Sequence, residues 1–147
     1  MTYLDTSALV KRFVAEAGSS KVQSLLTGRA PIASATIAYA ELYSGLTRRH
    51  REGVLSQLQY RLACRNVERD WMALVKVELA AEILSSARGL IERHGLRAFD
   101  AIHLASALGL QAAANEPVTF VAADQRLLRA AAGERLATVN PEAARGR

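Results

Sequence analysis

Carboxylates in apolar surroundings are the residues of this sequence that could carry chemistry. The chain contains only four aspartates, and Asp5, Asp100 and Asp124 lie among apolar neighbours in the segments TYLDTSALV, RAFDAIHLASAL and FVAADQRLL. Glu41 has a similar setting in AYAELYSGL. Asp70 lies in NVERDW, which we interpret as a polar connector where this carboxylate is solvated. A carboxylate in apolar surroundings costs free energy unless it is hydrogen-bonded or paired. Four of these five acids therefore need a structural or a chemical partner.

Each acid has a structural interpretation when it is considered alone. Asp5 and Asp124 each follow a predicted strand and precede a predicted helix, where aspartate is a preferred N-cap. Capping is the favoured interpretation for Asp124, whereas Thr6 and Ser7 could themselves cap the helix after Asp5. Asp100 would lie in the first turn of a helix, where the helix dipole favours a negative charge.

Considered together, the acids predict a site for a divalent cation. Several carboxylates at one place repel one another and raise each other's pKa, and a divalent cation removes that cost. Oxygen ligands suit Mg²⁺ or Mn²⁺, whereas zinc favours cysteine and histidine, and the chain has one cysteine, Cys64, and three histidines that are not clustered. Such a cation can generate hydroxide from water and bind a phosphate oxygen.

The elements that must position these acids alternate along the chain. Strands are predicted at TYLDT, APIAS, MALVKV, VTFVAA and ATVN, and helices at SALVKRFVAE, 19–28, TIAYAELYSGLTRRHRE, VLSQLQYRLACR, ELAAEILSSARGLIERHG, AFDAIHLASALGLQAAA and DQRLLRAAA. This alternation indicates an α/β fold with a parallel sheet, which places its sites at the carboxyl ends of the strands. In the helix around Asp100, we expect Phe99, Ile102, Leu104 and Leu108 to belong to the core. His103 is interpreted first as a hydrogen-bonded structural residue.

Length and charge limit the remaining possibilities. With 147 residues and a net charge of +5, the chain suits one domain, predicted at 1–140, followed by a frayed tail at 141–147. The sequence shows neither a signal-peptide pattern nor a run of about 20 apolar residues, and the single cysteine fits a reducing compartment, so we predict a cytoplasmic protein. Most basic residues are arginines, which pair well with phosphate.

Four segments in order resemble the PIN-domain ribonucleases, and among them the VapC-type toxins of bacterial toxin–antitoxin pairs. These segments are YLDTSAL, AELYSGL, FDAIHLASA and FVAADQRLL, and they span almost the whole chain. The resemblance implies a three-layer sandwich, with helices flanking a parallel sheet of four or five strands. It also implies RNA cleavage with Mg²⁺ or Mn²⁺, an antitoxin partner and a homodimer.

The resemblance also assigns roles to individual residues. Asp5 and Asp100 would be the most direct metal ligands, Glu41 and Asp124 would complete the set, and Thr6 or Ser7 would support it. Relatives often carry a threonine before the fourth acid, where this chain has VAAD. The candidates for holding the RNA backbone are Lys11, Arg12, Arg48, Arg49, Arg51 and Arg126, although the basic run TRRHRE is equally well explained as the solvated end of a helix.

Two other classes of protein share features with this sequence. A receiver or a haloacid-type phosphatase also has an acid at a strand end, but a receiver needs adjacent acids and a late lysine, and this chain has no lysine after Lys76. The phosphatase needs a second acid two residues after the first, where Ser7 stands. A catalytically silent module that binds RNA or protein is the alternative function, and the presence of all four acids argues against it.

Overall fold

Residues 1–143 are described by a computed structural model, in which helices and strands alternate. The strands are β1 (Thr2–Leu4), β2 (Ile32–Ala35), β3 (Val75–Val77), β4 (Thr119–Val121) and β5 (Ala137–Val139). The helices are α1 (Thr6–Leu9), α2 (Ser19–Leu26), α3 (Ile37–Arg51), α4 (Gln57–Trp71), α5 (Ala81–His94), α6 (Ala98–Ala114) and α7 (Gln125–Gly133), with a 3₁₀-helix at Val10–Arg12. Within residues 1–143, the helices lack the length and apolar character needed to cross a membrane.

The sheet is parallel and has β1 at its centre. Its strand order is β3-β2-β1-β4-β5, and Thr2 of β1 lies opposite Ile32 of β2 and Thr119 of β4. The chain builds one half of the sheet with β2 and β3 and then returns to the other side of β1 with β4 and β5. The strand order therefore reverses between β1 and β4, and crevices at such a point are where ligands bind in this class of fold. The predicted α/β fold, with a parallel sheet between helical layers, is confirmed.

Two apolar cores lie on opposite faces of the sheet because successive strand residues point to opposite sides. Tyr3 and Phe120 point to one face, where their rings stack with centroids 5.6 Å apart, and this core also contains residues of α5, α6 and α7. Leu4 and Val121 point to the other face and pack with residues of α1, α3 and α4. All four side chains are fully buried, which fixes the two central strands relative to both layers.

The first helix ends earlier than the sequence pattern predicts. A helix was expected over 7–16, but α1 is followed only by the short 3₁₀-helix that ends at Arg12. The hydroxyl of Ser19 donates to the carbonyl of Val14 (2.9 Å) and accepts from the amide of Glu16 (3.0 Å). These side-chain bonds replace the helical hydrogen bonds that the two backbone groups would otherwise form.

Two predictions for single residues are wrong. Asp70 was placed in a connector but lies on α4, which begins at a capping box formed by Ser56 and Gln59 and continues to Trp71. Phe99 was expected in the core, whereas it is 57 % exposed. Phe99 lies in the first turn of α6, where it lines a surface cavity, while Ile102 and Leu104 further along the helix are buried as expected.

The predicted tail begins with residues that contact the domain. Pro141 is buried and lies directly against Gly18. Glu142 accepts a hydrogen bond from the ammonium group of Lys11 at 2.6 Å. The rest of the predicted tail, 144–147, lies outside the described residues, and the frayed tail stays a prediction there.

Candidate metal centre and active site

Asp5 lies at the carboxyl end of the central strand and is almost fully buried, with 4 % of its surface exposed. It is the N-cap of α1, since its Oδ1 accepts hydrogen bonds from the amide of Ala8 (3.0 Å) and the hydroxyl of Ser7 (2.7 Å). Ser7 Oγ also accepts from the amide of Ala123 after β4, at 3.0 Å. Ser7 therefore joins the ends of β1 and β4 at the point where the strand order reverses.

Burial makes the charged form of Asp5 unfavourable. Loss of solvent raises the pKa of Asp5 from 3.8 to about 6, although a nearby His103 and the bonds from Ser7 and Ala8 act in the opposite direction. The negative charge of Asp100 also contributes to this increase in pKa. Two of the predicted acids are thus close enough to repel each other, which is the situation that a divalent cation relieves.

Glu41 reaches the same place from α3 and is held by two neighbours. The hydroxyl of Thr6 donates to its Oε1 at 2.8 Å, and Nε2 of His103 lies 2.7 Å from the same oxygen. Partial burial alone would raise the pKa of Glu41, but the contacts with His103 and Thr6 outweigh burial and hold that pKa below its usual value. The Glu41 carboxylate is therefore kept ionised in a fixed position.

Asp100 and Asp124 face one another across an arginine. Nε of Arg97 lies 3.2 Å from Oδ2 of Asp100, and its Nη2 lies 3.6 Å from Oδ2 of Asp124. Asp124 is also the N-cap of α7, where its Oδ1 accepts from the amides of Arg126 (2.7 Å) and Leu127 (3.2 Å). The favoured structural interpretation of Asp124 is confirmed, and the same carboxylate still reaches the region of Asp100.

A cavity of about 840 Å³ brings three of the predicted acids together. Asp5, Glu41 and Asp100 line this cavity, and so do the predicted supporting residues Thr6 and Ser7. Asp124 is not among its lining residues and connects to it through Arg97. The three acids come from the end of β1, from α3 and from α6, so the fold gathers positions that are far apart in the sequence.

The donor set of this cavity fits a hard divalent cation in its chemistry. The three acids offer carboxylate oxygens, the ligands that Mg²⁺ and Mn²⁺ prefer, and the buried, charge-repelled Asp5 gains from a nearby cation. Within residues 1–143, no three acidic, histidine or cysteine side chains lie close enough together to form a complete metal site. Binding would therefore require at least one carboxylate to move towards the others, such as that of Asp100, whose partner Arg97 is exposed.

The predicted basic residues fall into two groups. Arg48 and Arg49 line the cavity, and Arg49 pairs with Glu16 at 3.2 Å. Arg12 instead pairs with Asp70 at 3.0 Å and lines a different groove. Arg126 donates to the carbonyl of Gly95 at 3.1 Å and lies outside the cavity.

Sequence reasoning missed two residues of the site, Arg97 and Glu142. Arg97 precedes Asp100 by three positions, a spacing at which residues on one helix face can meet, so this pair could have been found. Lys11, one of the predicted RNA contacts, is instead buried between Glu16 (3.0 Å) and Glu142 (2.6 Å) at the wall of the cavity. Glu142 lies 131 positions from Lys11, and no local pattern signals a contact at that separation.

Comparison with known proteins places the chain in a family. Residues 2–133 match the PIN domain family, and the chain belongs to it. The chain is 38 % identical over 128 residues to Ribonuclease VapC45 of Mycobacterium tuberculosis strain CDC 1551 / Oshkosh and, to the same extent, to Ribonuclease VapC49 of strain ATCC 25618 / H37Rv, with 86 % of each chain covered. A toxin–antitoxin complex from Klebsiella pneumoniae shares the fold, with a TM-score of 0.65 and 16 % identity over 96 % of this chain and 98 % of the other.

We predict that Asp5→Asn changes how stability depends on pH. The folded pKa of Asp5, about 6, exceeds the ordinary value of 3.8, so the folded state binds the Asp5 proton more tightly than the unfolded state does. The stability that this proton contributes is fully present below pH 3.8 and is lost as the pH rises through 6. Without metal, the variant should therefore be more stable than wild type above pH 6, by roughly 2–3 kcal/mol, and about equally stable near pH 4. The substitution keeps a helix cap, because asparagine and aspartate are equally good N-cap residues. Urea unfolding at several pH values measures the difference.

Asp70→Asn is the matched control, because Asp70 is an aspartate outside the cavity that pairs with Arg12 and Arg69. Added Mn²⁺ should stabilise the wild type and the Asp70 variant alike, by about 2.7 kcal/mol at a hundred times the dissociation constant. It should stabilise Asp5→Asn much less. An Asp5→Asn protein whose stability follows wild type at every pH, with or without Mn²⁺, would reduce Asp5 to a helix cap.

Proposed function

We propose that this PIN-domain protein is an endoribonuclease that hydrolyses RNA phosphodiester bonds with Mg²⁺, for which Mn²⁺ can substitute. The observation that carries the proposal is the convergence of Asp5, Glu41 and Asp100 on one cavity that also contains arginines. The relatives at 38 % identity are named ribonucleases, which supports the same reaction for this chain. Its place of action would be the cytoplasm, where RNA substrates are present.

The acids of the cavity would share the work of holding the cation. Asp5 and Asp100, whose charges already act on each other, would be the direct ligands. Glu41 would complete the set with a carboxylate that is already ionised, and Asp124 would join it from the end of β4. When bound, such a cation supplies an activated water and neutralises charge on the phosphate.

Basic residues of the cavity would hold the RNA. Arg48 lines the cavity and is not part of the Lys11–Glu16–Arg49 pairs, so its guanidinium group is suited to a phosphate. The net charge of +5 favours the approach of a polyanion. Arg12 and Arg126 lie outside the cavity and would contact only more distant phosphates of a longer RNA.

One observation favours the alternative of a catalytically silent module. Arg97 lies between Asp100 and Asp124, where its positive charge compensates two of the four acids. In a silent module, this arginine would replace the cation permanently. Its side chain is 78 % exposed, however, and exposed ion pairs of this kind contribute little free energy. We therefore favour the enzyme, in which a divalent cation or a phosphate displaces Arg97.

We predict that RNA cleavage requires the divalent cation and the acids of the cavity. Glu41→Gln and Asp100→Asn should each lower the rate by about a hundredfold or more, since even residues behind metal ligands are worth about 10- to 100-fold. Asp70→Asn should retain wild-type activity. Cleavage of labelled tRNAs and rRNA fragments, with Mg²⁺, Mn²⁺ or EDTA, measures these effects. Unchanged cleavage in EDTA would refute the metal requirement, and RNA binding without any cleavage would favour the silent module.

We also propose an antitoxin partner, because a structural neighbour was solved as a toxin–antitoxin complex. A groove of about 570 Å³ could receive a segment of such a partner. Its apolar wall comes from Leu9, Phe13, Leu26, Ile32 and Leu74, with Arg12 and Asp70 also lining it. An amphipathic helix with an apolar face fits a groove of this character. The homodimer expected from family resemblance belongs to the same proposal.

We predict that the purified chain is a dimer and binds an antitoxin protein, which we expect to be encoded beside its gene. Size-exclusion chromatography with light scattering should give twice the mass of the chain at micromolar concentration, and a larger complex after the second protein is added. Leu26→Glu, which places a charge in the groove, should weaken that complex and leave the dimer unchanged. A monomeric chain would contradict the dimer, and the absence of any complex would contradict the antitoxin.

A further inference from the structure

His103 is buried beneath the cavity, although histidine is a polar residue. It lies on α6 three positions after Asp100, and only 2 % of its surface is exposed. The hydroxyl of Tyr3 lies 2.9 Å from its Nδ1, and Oε1 of Glu41 lies 2.7 Å from its Nε2. Both ring nitrogens thus have a partner, and the ring connects the central strand to an acid of the cavity.

The chemistry of the partners gives this chain of hydrogen bonds a direction. The carboxylate of Glu41 can only accept, so Nε2 of His103 must carry a proton and donate it. Tyr3 is fully buried, and its phenol hydroxyl carries a proton that it can donate. Tyr3 can therefore donate to Nδ1 and so select the ring tautomer that presents Nε2–H to Glu41.

The bonds to Glu41 converge on a single oxygen. Thr6 and His103 both contact Oε1, and within residues 1–143 Oε2 accepts no hydrogen bond. A carboxylate can accept several hydrogen bonds, so Glu41 is held on one side and retains accepting capacity on the other. This arrangement fixes the orientation of the Glu41 carboxylate and leaves its Oε2 available to a cation.

We propose that Tyr3 and His103 are positioning residues that orient Glu41 for the divalent cation and thereby set the affinity of the site for that cation. The inference rests on the proposed function, because it takes Glu41 as a ligand. Groups that hydrogen-bond to metal ligands in this way typically change metal affinity or activity about 10- to 100-fold when they are removed. The competing interpretation is that His103 only satisfies hydrogen bonds within the core.

The test measures Mn²⁺ binding directly, by the electron paramagnetic resonance signal of free Mn²⁺, together with the melting temperature of the metal-free protein. Tyr3→Phe keeps the ring that stacks on Phe120 and removes only the hydroxyl. We expect it to weaken Mn²⁺ binding about 3- to 10-fold, and His103→Leu to weaken it about 10- to 100-fold. His103→Gln should recover part of the loss, because its amide can donate to Glu41.

A double-mutant cycle separates positioning from simple stability. In a Glu41→Gln background, Tyr3→Phe should change Mn²⁺ affinity by less than about twofold, since the carboxylate it orients is gone. Ser34→Ala is the control, because Ser34 is a buried hydroxyl that donates to the carbonyl of Leu4 at 2.7 Å and does not contact Glu41. It should lower the melting temperature and leave Mn²⁺ affinity unchanged.

Two results would overturn the inference while leaving the proposed function intact. The first is a Tyr3→Phe protein with wild-type Mn²⁺ affinity and a lower melting temperature. The second is an equal loss of affinity from Tyr3→Phe in both the Glu41 and the Glu41→Gln backgrounds. If Glu41→Gln itself binds Mn²⁺ as the wild type does, Glu41 is not a ligand. This inference then fails, together with the role that the proposed function gives to Glu41.

Discussion

The burial of one carboxylate at the end of the central strand is the constraint on which the site depends. Asp5 directly follows β1, which has both apolar cores beside it, and only 4 % of its surface is exposed. The hydrogen bonds that it accepts from Ser7 and Ala8 start the first helix. Ser7 ties this helix to the segment after β4 by accepting a bond from the amide of Ala123. Burial and Asp100 both oppose the negative charge of Asp5. The residue that caps the first helix would therefore also be stabilised by a nearby cation.

The other acids are positioned by what surrounds this corner. Glu41 is held through Thr6, the residue next to Asp5, and through His103, which also contacts Tyr3 of the central strand. Asp100 and Asp124 are brought towards each other by Arg97. Structural and chemical roles are therefore combined in the same side chains: Asp5 and Asp124 are helix caps, and both also belong to the predicted set of acids. For these two residues, the choice between cap and ligand suggested by the sequence is not exclusive.

The sequence was most informative where local patterns are strong. The parallel α/β fold, the bounds of α6 and the convergence of Asp5, Glu41 and Asp100 could be predicted from the alternation of strands and helices, together with the order of four short segments. What could not be predicted depends on contacts between distant positions. Phe99 is a large apolar residue in an apolar segment, but it is exposed and lines the cavity. The burial of Lys11 depends on its ion pair with Glu142, near the other end of the chain. The side-chain hydrogen bonds of Ser19 with Val14 and Glu16 also could not be predicted, because the spacing of apolar residues carries no signal for them.

The most direct test of a cation site at Asp5 is a crystal structure of the protein grown with Mn²⁺, with anomalous scattering used to locate the ion. Our account predicts an anomalous peak in the cavity, coordinated by carboxylate oxygens of Asp5 and Asp100, with Arg97 displaced from Asp100. The crystals should be grown at a Mn²⁺ concentration that supports RNA cleavage. An empty cavity under these conditions, with a peak only at another acidic position such as Glu134 beside His94, would contradict this prediction.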